Sequence, residues 1–176
     1  MGYLPISGQG YPELQREILT WGDIDQLIDH LIPQLEGEFD GLLMITSGGL
    51  IPGGILSEAL GIKHVLTASV YFPDEVHQKL AWPTFIQFPP DTLLTQRRIL
   101  IVDNIWSNGR ATVVVQGRLA AVSAEFKTAV LHYRLRSNLF PGLGPNYYGA
   151  VTERYIIYPW ETPMVTPTGT GALPAI

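Results

Sequence analysis

Two continuous apolar runs, Gly41-Leu42-Leu43-Met44-Ile45-Thr46 and Ile99-Leu100-Ile101-Val102, constrain the fold of this chain more than any other feature. Neither alternates polar with apolar residues, so both predict strands buried on two faces, as in a parallel sheet covered by helices. A parallel sheet needs crossover connections, and helical patterns stand where they are required. Trp21, Ile24, Leu27, Ile28, Leu31 and Leu35 recur at helical spacing, with Asp23, Asp25, Gln26 and Asp29 on the opposite, solvated face. Thr20 and Asp23 make a capping-box-like start behind the short apolar segment Arg16 to Thr20, and Gly37 is the expected end. Pro52 to Leu60, stopped by Gly61, predicts a second helix, and Ala111 to Val122 a third. His64 to Phe72 and Phe126 to Tyr133, rich in Val, Thr, Tyr and Phe, predict two further strands.

Proline-rich Pro73 to Gln96 has no sustained period and is expected to be an irregular excursion, a hairpin or a flap. Asn138 to Gly149, rich in Pro, Gly and Asn, is expected to be a loop before a last apolar segment, Tyr155 to Tyr158, closed by Pro159. The expected architecture is therefore α/β: one core over residues 1–161, followed by an extended tail at 162–176.

Composition narrows the function classes. At 176 residues, with 46% hydrophobic and 15% charged, the chain can bury one sizeable core and leaves a charge-poor surface, for which a homodimer or tetramer is expected. A net charge of -5 without any basic stripe argues against a nucleic-acid partner. With Cys 0 there is no thiolate nucleophile or thiolate metal site, which fits a reducing cytoplasm. Met1 to Pro12 has no basic region followed by an apolar run, and no apolar stretch reaches the ~18 residues that span a bilayer, so neither secretion nor a membrane is expected.

The chemistry concentrates after the second apolar run. A hydrophobic strand that ends in a polar turn and feeds a helix gathers free backbone N–H groups and the positive end of a helix dipole at one point. Such a point attracts phosphate. Ser107, Asn108 and Gly109 supply small polar groups and close backbone approach, while Asp103 and Asn104 are placed to meet sugar hydroxyls or a bound Mg²⁺ shell. An ordinary connection in which an Asp or Ser caps the helix satisfies the same pattern. Nucleotide loops of the Gly-Lys-Ser/Thr or Gly-x-Gly-x-x-Gly type follow none of the strands.

Ile99 to Thr112 resembles, in part, the signature by which type I phosphoribosyltransferases bind phosphoribosyl pyrophosphate (PRPP). Upstream, Ile45-Thr46-Ser47-Gly48-Gly49-Leu50-Ile51-Pro52 looks like the family's pyrophosphate loop. Ile18-Leu19-Thr20-Trp21 and Ser57 to Val65 are similar to segments of bacterial xanthine-guanine and hypoxanthine phosphoribosyltransferases. Leu131-His132-Tyr133-Arg134 looks like the strand whose terminal basic residue meets the purine's exocyclic oxygen. Pro145 to Tyr148 and Tyr155-Ile156-Ile157-Tyr158-Pro159-Trp160-Glu161 look like the hood over the base. These segments keep the family's order over nearly the whole chain.

The resemblance implies a set of roles. Asp103 and Asn104 would lie on the ribose; Ser107, Asn108, Gly109, Arg110, Ala111 and Thr112 on the 5′-phosphate; Ser47, Gly48 and Gly49 on pyrophosphate; Arg134, Tyr155 and Ile156 on the base. It also implies that the two turns lie together at the sheet's carboxyl edge, with unusual peptide geometry at Thr46-Ser47 or Ser47-Gly48. Against the family's pattern, Asn104 replaces an acidic residue, Ser107 stands at the position of the acidic general base, Asn108 replaces a hydroxyl residue and Ser47 a basic one.

Other assignments stay open at this point. Arg110 faces phosphate or solvent, Arg134 recognises the base or joins a salt bridge, Tyr155 stacks on a purine or packs in the core, and Trp160 is expected to pack. His30, His64, His77 and His132 show no metal-ligand spacing, so any Mg²⁺ would arrive with PRPP rather than be held by protein alone. Two functions fit. The first is a glycosyltransferase of purine salvage that joins a 6-oxopurine to PRPP and releases pyrophosphate, with Asp103, Asn104 and Ser107 at its catalytic centre. The second is a weak or inactive module that binds PRPP or a nucleoside monophosphate as a sensor or regulatory partner.

Overall fold

The structure is a computed structural model that describes residues 15–73 and 83–161. The apolar runs form the two central strands of a six-stranded sheet: β2 (Gly41–Ile45), buried throughout, and β5 (Arg98–Trp106). They pair in parallel, Leu42 opposite Leu100 and Met44 opposite Val102. The other strands are β3 (Val65–Tyr71), β4 (Thr84–Gln87), β6 (Glu125–Tyr133) and β7 (Tyr147–Val151), in the order β4-β3-β2-β5-β6-β7. Only β4 among them runs antiparallel to its neighbour. A separate small sheet joins the two ends of the described chain, β1 (Arg16–Ile18) pairing in parallel with β8 (Tyr155–Ile157).

Successive side chains of β2 and β5 go to opposite layers, which is why both runs are apolar without interruption. Leu42, Met44, Leu100 and Val102 pack with Ile24, Ile28 and Leu31 of α1 (Trp21–Leu31) and Leu56 of α2 (Leu50–Ala59). Leu43, Ile45, Ile99 and Ile101 pack with Val115 and Leu119 of α3 (Arg110–Ala121). Leu19, Ile156 and Tyr158, in and beside the small sheet, join the first of these layers. The capping box of α1 is present: Asp23 N–H donates to Thr20 Oγ1, and Thr20 N–H to Asp23 Oδ2 at 2.7 Å.

Several boundaries differ from the sequence expectation. The first helix ends as α-helix at Leu31, not near Gly37, and tightens to a 3₁₀ turn over Ile32–Gln34, because Pro33 has no N–H to continue the ladder. The second helix begins two residues early, at Leu50, with Pro52 tolerated in its first turn. β5 does not stop at Asp103 but continues to Trp106, whose indole is fully buried. Ile105 and Trp106 pair with His132 and Tyr133, so Asp103 and Asn104 are strand residues and the turn shrinks to Ser107–Gly109. Tyr147–Val151, assigned to a loop and hood by sequence, is an edge strand whose Tyr147 packs on the core. β4 makes part of the Pro73 to Gln96 excursion a hairpin on β3. The rest of that excursion, residues 74–82, and the proposed tail at 162–176 lie outside the described residues.

Candidate ligand site at the carboxyl edge of the sheet

Two turns meet where β2 and β5 end. After β2 the chain passes through a cis peptide between Thr46 and Ser47, one of the two positions expected to be unusual. Gly49 N–H donates back to the Ile45 carbonyl at 2.7 Å, and α2 follows directly. The turn is packed so closely on β5 that side chains are excluded. A Cβ on Gly49 would collide with the Val102 carbonyl and lie 2.8 Å from that of Ile45, and one on Gly48 would collide with the Asn104 amide and lie 2.6 Å from Asp103 Oδ1. The adjacency expected of the two turns is thereby met.

The turn after β5 is held by side chains. Gly109 has φ +80, the left-handed region that favours glycine, and its missing Cβ makes room for the Trp106 indole beneath it. Trp106 Nε1 donates to Asn138 Oδ1 at 3.2 Å. Asn108 Oδ1 accepts the Arg110 N–H at 3.0 Å and so occupies one of the helix's free donors. The Arg110 guanidinium lies 4.4 Å from the centre of the Phe72 ring. Thr112 is buried in the first turn of α3.

Charge at this edge is sparse. Asp103 is pushed up to about 7 by burial, and the one N–H it accepts, from Asn104 at 2.8 Å, opposes that only in part. Arg134, 9% exposed, donates from Nη1 to Ser107 Oγ at 3.1 Å and from Nη2 to the Arg154 carbonyl at 2.6 Å. Its Nε is a buried nitrogen without a partner among the described residues. On the same strand, His132 Nδ1 lies 2.9 Å from the Tyr158 hydroxyl, which donates to the Asn104 carbonyl at 2.9 Å. Burial, with the Arg134 charge adding to it, lowers His132 to about 4.

Comparison with known proteins finds similar phosphoribosyltransferases. No family model matches it. A xanthine-guanine phosphoribosyltransferase of Gluconobacter oxydans is 28% identical over 156 residues, covering 85% of this chain and 87% of that protein. One from Vibrio atlanticus is 33% identical over 66 residues, which span 35% of this chain and 42% of that protein. The crystal structure of a purine phosphoribosyltransferase from Pyrococcus horikoshii Ot3 matches with a TM-score of 0.73 at 29% identity, covering 84% of this chain and 95% of that one. The chain is similar in sequence and fold to type I purine phosphoribosyltransferases.

Within the phosphoribosyltransferase fold, the residues singled out by sequence fall into two groups. Asp103, Asn104, Ser107 and Arg134 come together with Gly48, Gly49 and the start of α3. Tyr155 instead stands 53% exposed on the small sheet opposite Arg16, and the Ile156 side chain is in the core. Arg134 bonds a hydroxyl and a carbonyl, of Ser107 and Arg154. Trp160 packs, as expected, stacked 4.7 Å from Tyr158.

The donor set fits a magnesium ion that arrives with its own ligands. Among the described residues no cluster of three His, Cys, Asp or Glu side chains is formed. Asp103 is a single half-buried carboxyl whose ionisation a neighbouring cation would favour, so Asp103 would be the protein's ligand and the remaining oxygens would come from phosphates and water.

Sequence reasoning placed Tyr158 in the hood and His132 on the strand ending at Arg134 but missed the bond between them, and the only role it considered for the imidazole itself was metal ligation. The available signal was its place two residues before Arg134, which sets both near one face of the strand.

Proposed function

We propose that the protein transfers phosphoribose from PRPP to a 6-oxopurine with release of pyrophosphate. A nitrogen of the base bonds to C1 of the ribose, the C1–O bond to pyrophosphate breaks, pyrophosphate leaves with the electron pair, and the base loses its N–H proton. The observation that carries this reading is the contact of the two turns, Gly48 against Asp103 and Asn104 and Gly49 against the Val102 carbonyl. It leaves one cleft edge where a diphosphate and a ribose can lie side by side. In this reading Ser47 to Gly49 bind pyrophosphate through backbone, Asp103 and Asn104 bind the ribose hydroxyls, and Ser107 to Thr112 hold the 5′-phosphate at the N-terminus of α3. Bound Mg²⁺ would neutralise the leaving diphosphate. Asp103, titrating near 7, is suited to exchange protons at neutral pH, which Ser107 is not.

The same reading takes residues 1–161 as one catalytic domain with its hood, acting in purine salvage. A cytoplasmic homodimer or tetramer suits the absence of cysteine and the exposed apolar Ile18, Trp21 and Ile86. No helix among the described residues is long and apolar enough to cross a membrane.

One observation favours the second function, a PRPP or nucleoside monophosphate sensor with little turnover. Ser107 Oγ accepts from the Arg134 guanidinium, so the position of the family's base carries no carboxylate and faces a cation. A panel of nucleobases with PRPP and Mg²⁺, read by pyrophosphate release, tests the choice. Release with hypoxanthine, guanine or xanthine at 1 s⁻¹ or faster, the ordinary enzyme range of roughly 1–10³ s⁻¹, supports transfer. PRPP binding without release supports the sensor.

A further inference from the structure

The hydrogen bonds around Tyr158 fix the state of His132. A carbonyl oxygen can only accept, so the single hydroxyl hydrogen of Tyr158 belongs to the bond with the Asn104 carbonyl. The same oxygen must then accept from His132, which makes Nδ1 the protonated nitrogen of the ring. In a neutral imidazole the other nitrogen, Nε2, is then a bare lone pair. His132 is 5% exposed, and its bond to Tyr158 engages Nδ1, with Nε2 on the opposite side of the ring. Its strand partner is Ile105, between Asn104 and the phosphate turn, so it stands beside the cleft edge assigned above to the ribose and its base.

We propose that His132, locked as its Nδ1–H tautomer by Tyr158 and the Asn104 carbonyl, is a specificity residue whose Nε2 accepts a hydrogen bond from an N–H of the bound base. The inference rests on the phosphoribosyl-transfer reading for the presence of a base, and on the geometry alone for the state of the ring. The covered site and the Arg134 guanidinium keep the ring neutral through the neutral pH range. It therefore works as an acceptor there and never as a cation. Arg134, on the same side of the sheet, spends these hydrogen bonds on the protein, donating to Ser107 and to the Arg154 carbonyl. A base that offers a ring or amino N–H at this edge is accepted, and one methylated there leaves the lone pair unpaired and is rejected.

Two measurements on the full chain test this. Long-range ¹H–¹⁵N correlation at pH 7 should show His132 as the neutral Nδ1–H form, and Tyr158→Phe should move it toward a tautomer mixture. An Nε2–H ring or an imidazolium at pH 7 overturns the inference. Calorimetry with guanine or hypoxanthine in the presence of PRPP should show His132→Leu weakening base binding roughly 10-fold, with His132→Gln, which keeps an acceptor, recovering most of it. PRPP affinity should stay within about twofold in both variants, which a merely structural role would not allow. Unchanged base affinity in His132→Leu, or an equal loss for PRPP, overturns the proposal. A wild-type protein that binds PRPP but no base refutes this inference and leaves the ribose phosphate site intact, whereas one that binds neither refutes the transfer reading with it.

Discussion

The turn after β2 is shaped by what it lacks, and the turn after β5 by what it carries. Gly48 and Gly49 make contact with β5 at distances no side chain permits, and their neighbours there are strand backbone and the Asp103 and Asn104 side chains. Beyond β5, Asn108 satisfies a helix donor, Arg134 holds Ser107, and Trp106 fills the space under Gly109 while bonding Asn138. A turn made of glycines has few ways to vary, so its backbone follows from its spacing. A turn built from side chains can keep its shape while its chemistry changes, and the proposed departures at Asn104, Ser107 and Asn108 all fall on this side.

Substitution inside the glycine turn gives the largest expected effect and separates fold from site within two adjacent residues. In Gly49→Ala the new methyl meets only backbone, of Val102 and Ile45, so β2 and β5 must part to admit it. We expect a stability loss of roughly 3 kcal/mol or more by urea unfolding. In Gly48→Ala the methyl meets the Asn104 and Asp103 side chains, which can rotate. Stability should then fall by less than about 1.5 kcal/mol while PRPP affinity drops at least tenfold. Equal stability losses in the two variants would break the distinction between a backbone contact and a ligand-edge contact.

What the sequence revealed and concealed follows the same division. The uninterrupted apolar runs at 41–46 and 99–102 require two buried faces, so the parallel sheet and its flanking helices were legible from patterning. The glycines at 48 and 49 were legible as a loop because their spacing alone defines it. Bonds between distant residues were not. Arg134 meets Ser107 across 27 positions and Tyr158 meets Asn104 across 54, and no local periodicity encodes either. The true end of β5 was hidden because Asp103 and Asn104 are polar residues inside a strand, and strand ends are commonly inferred where polarity begins. β7 was hidden for a related reason: Gly149 breaks its pattern, although that glycine is required where a Cβ would lie 2.8 Å from the Leu131 carbonyl.

A smaller effect is expected from restoring charge to the side-chain turn. Asn104→Asp with Ser107→Asp returns two carboxylates to the pattern, and a general base is worth ~10²–10⁴ in rate. The Arg134 guanidinium on Ser107 Oγ limits the gain, since it would pair with the new carboxylate and hold its pKa low. We therefore expect transfer to a 6-oxopurine to rise by about 10-fold, at the low end of that range, with a further rise when Arg134→Met removes the pairing cation. A double variant slower than the natural protein would mean that position 107 is not a vacated base position and that Asp103 already serves.

The smallest expected effect is a slope in stability with pH, and it isolates Asp103 from its surroundings. Burial raises this carboxyl to about 7 in the folded protein, against an ordinary value of 3.8 in an unfolded chain. The folded state thus holds a proton that the unfolded state has released, and stability falls as pH rises from about 4 through about 7. His132 acts in the opposite sense, because its folded value near 4 lies below 6.5 and its contribution is lost as pH falls through that window. The two slopes oppose each other between about 4 and 6.5, and above 6.5 the Asp103 slope stands without that opposition. Between pH 6.5 and 8 the melting temperature of the natural protein should therefore drop by a few °C more than that of Asp103→Asn, roughly the effect of 1 kcal/mol in a domain of this size. Mg²⁺ with PRPP should flatten the slope, because a cation beside the carboxylate favours its ionised form in the folded state. Identical melting profiles for the two proteins over this interval would mean that Asp103 is ionised at the carboxyl edge before any ligand arrives, and that the glycine turn covers it less closely than the side-chain turn covers Arg134.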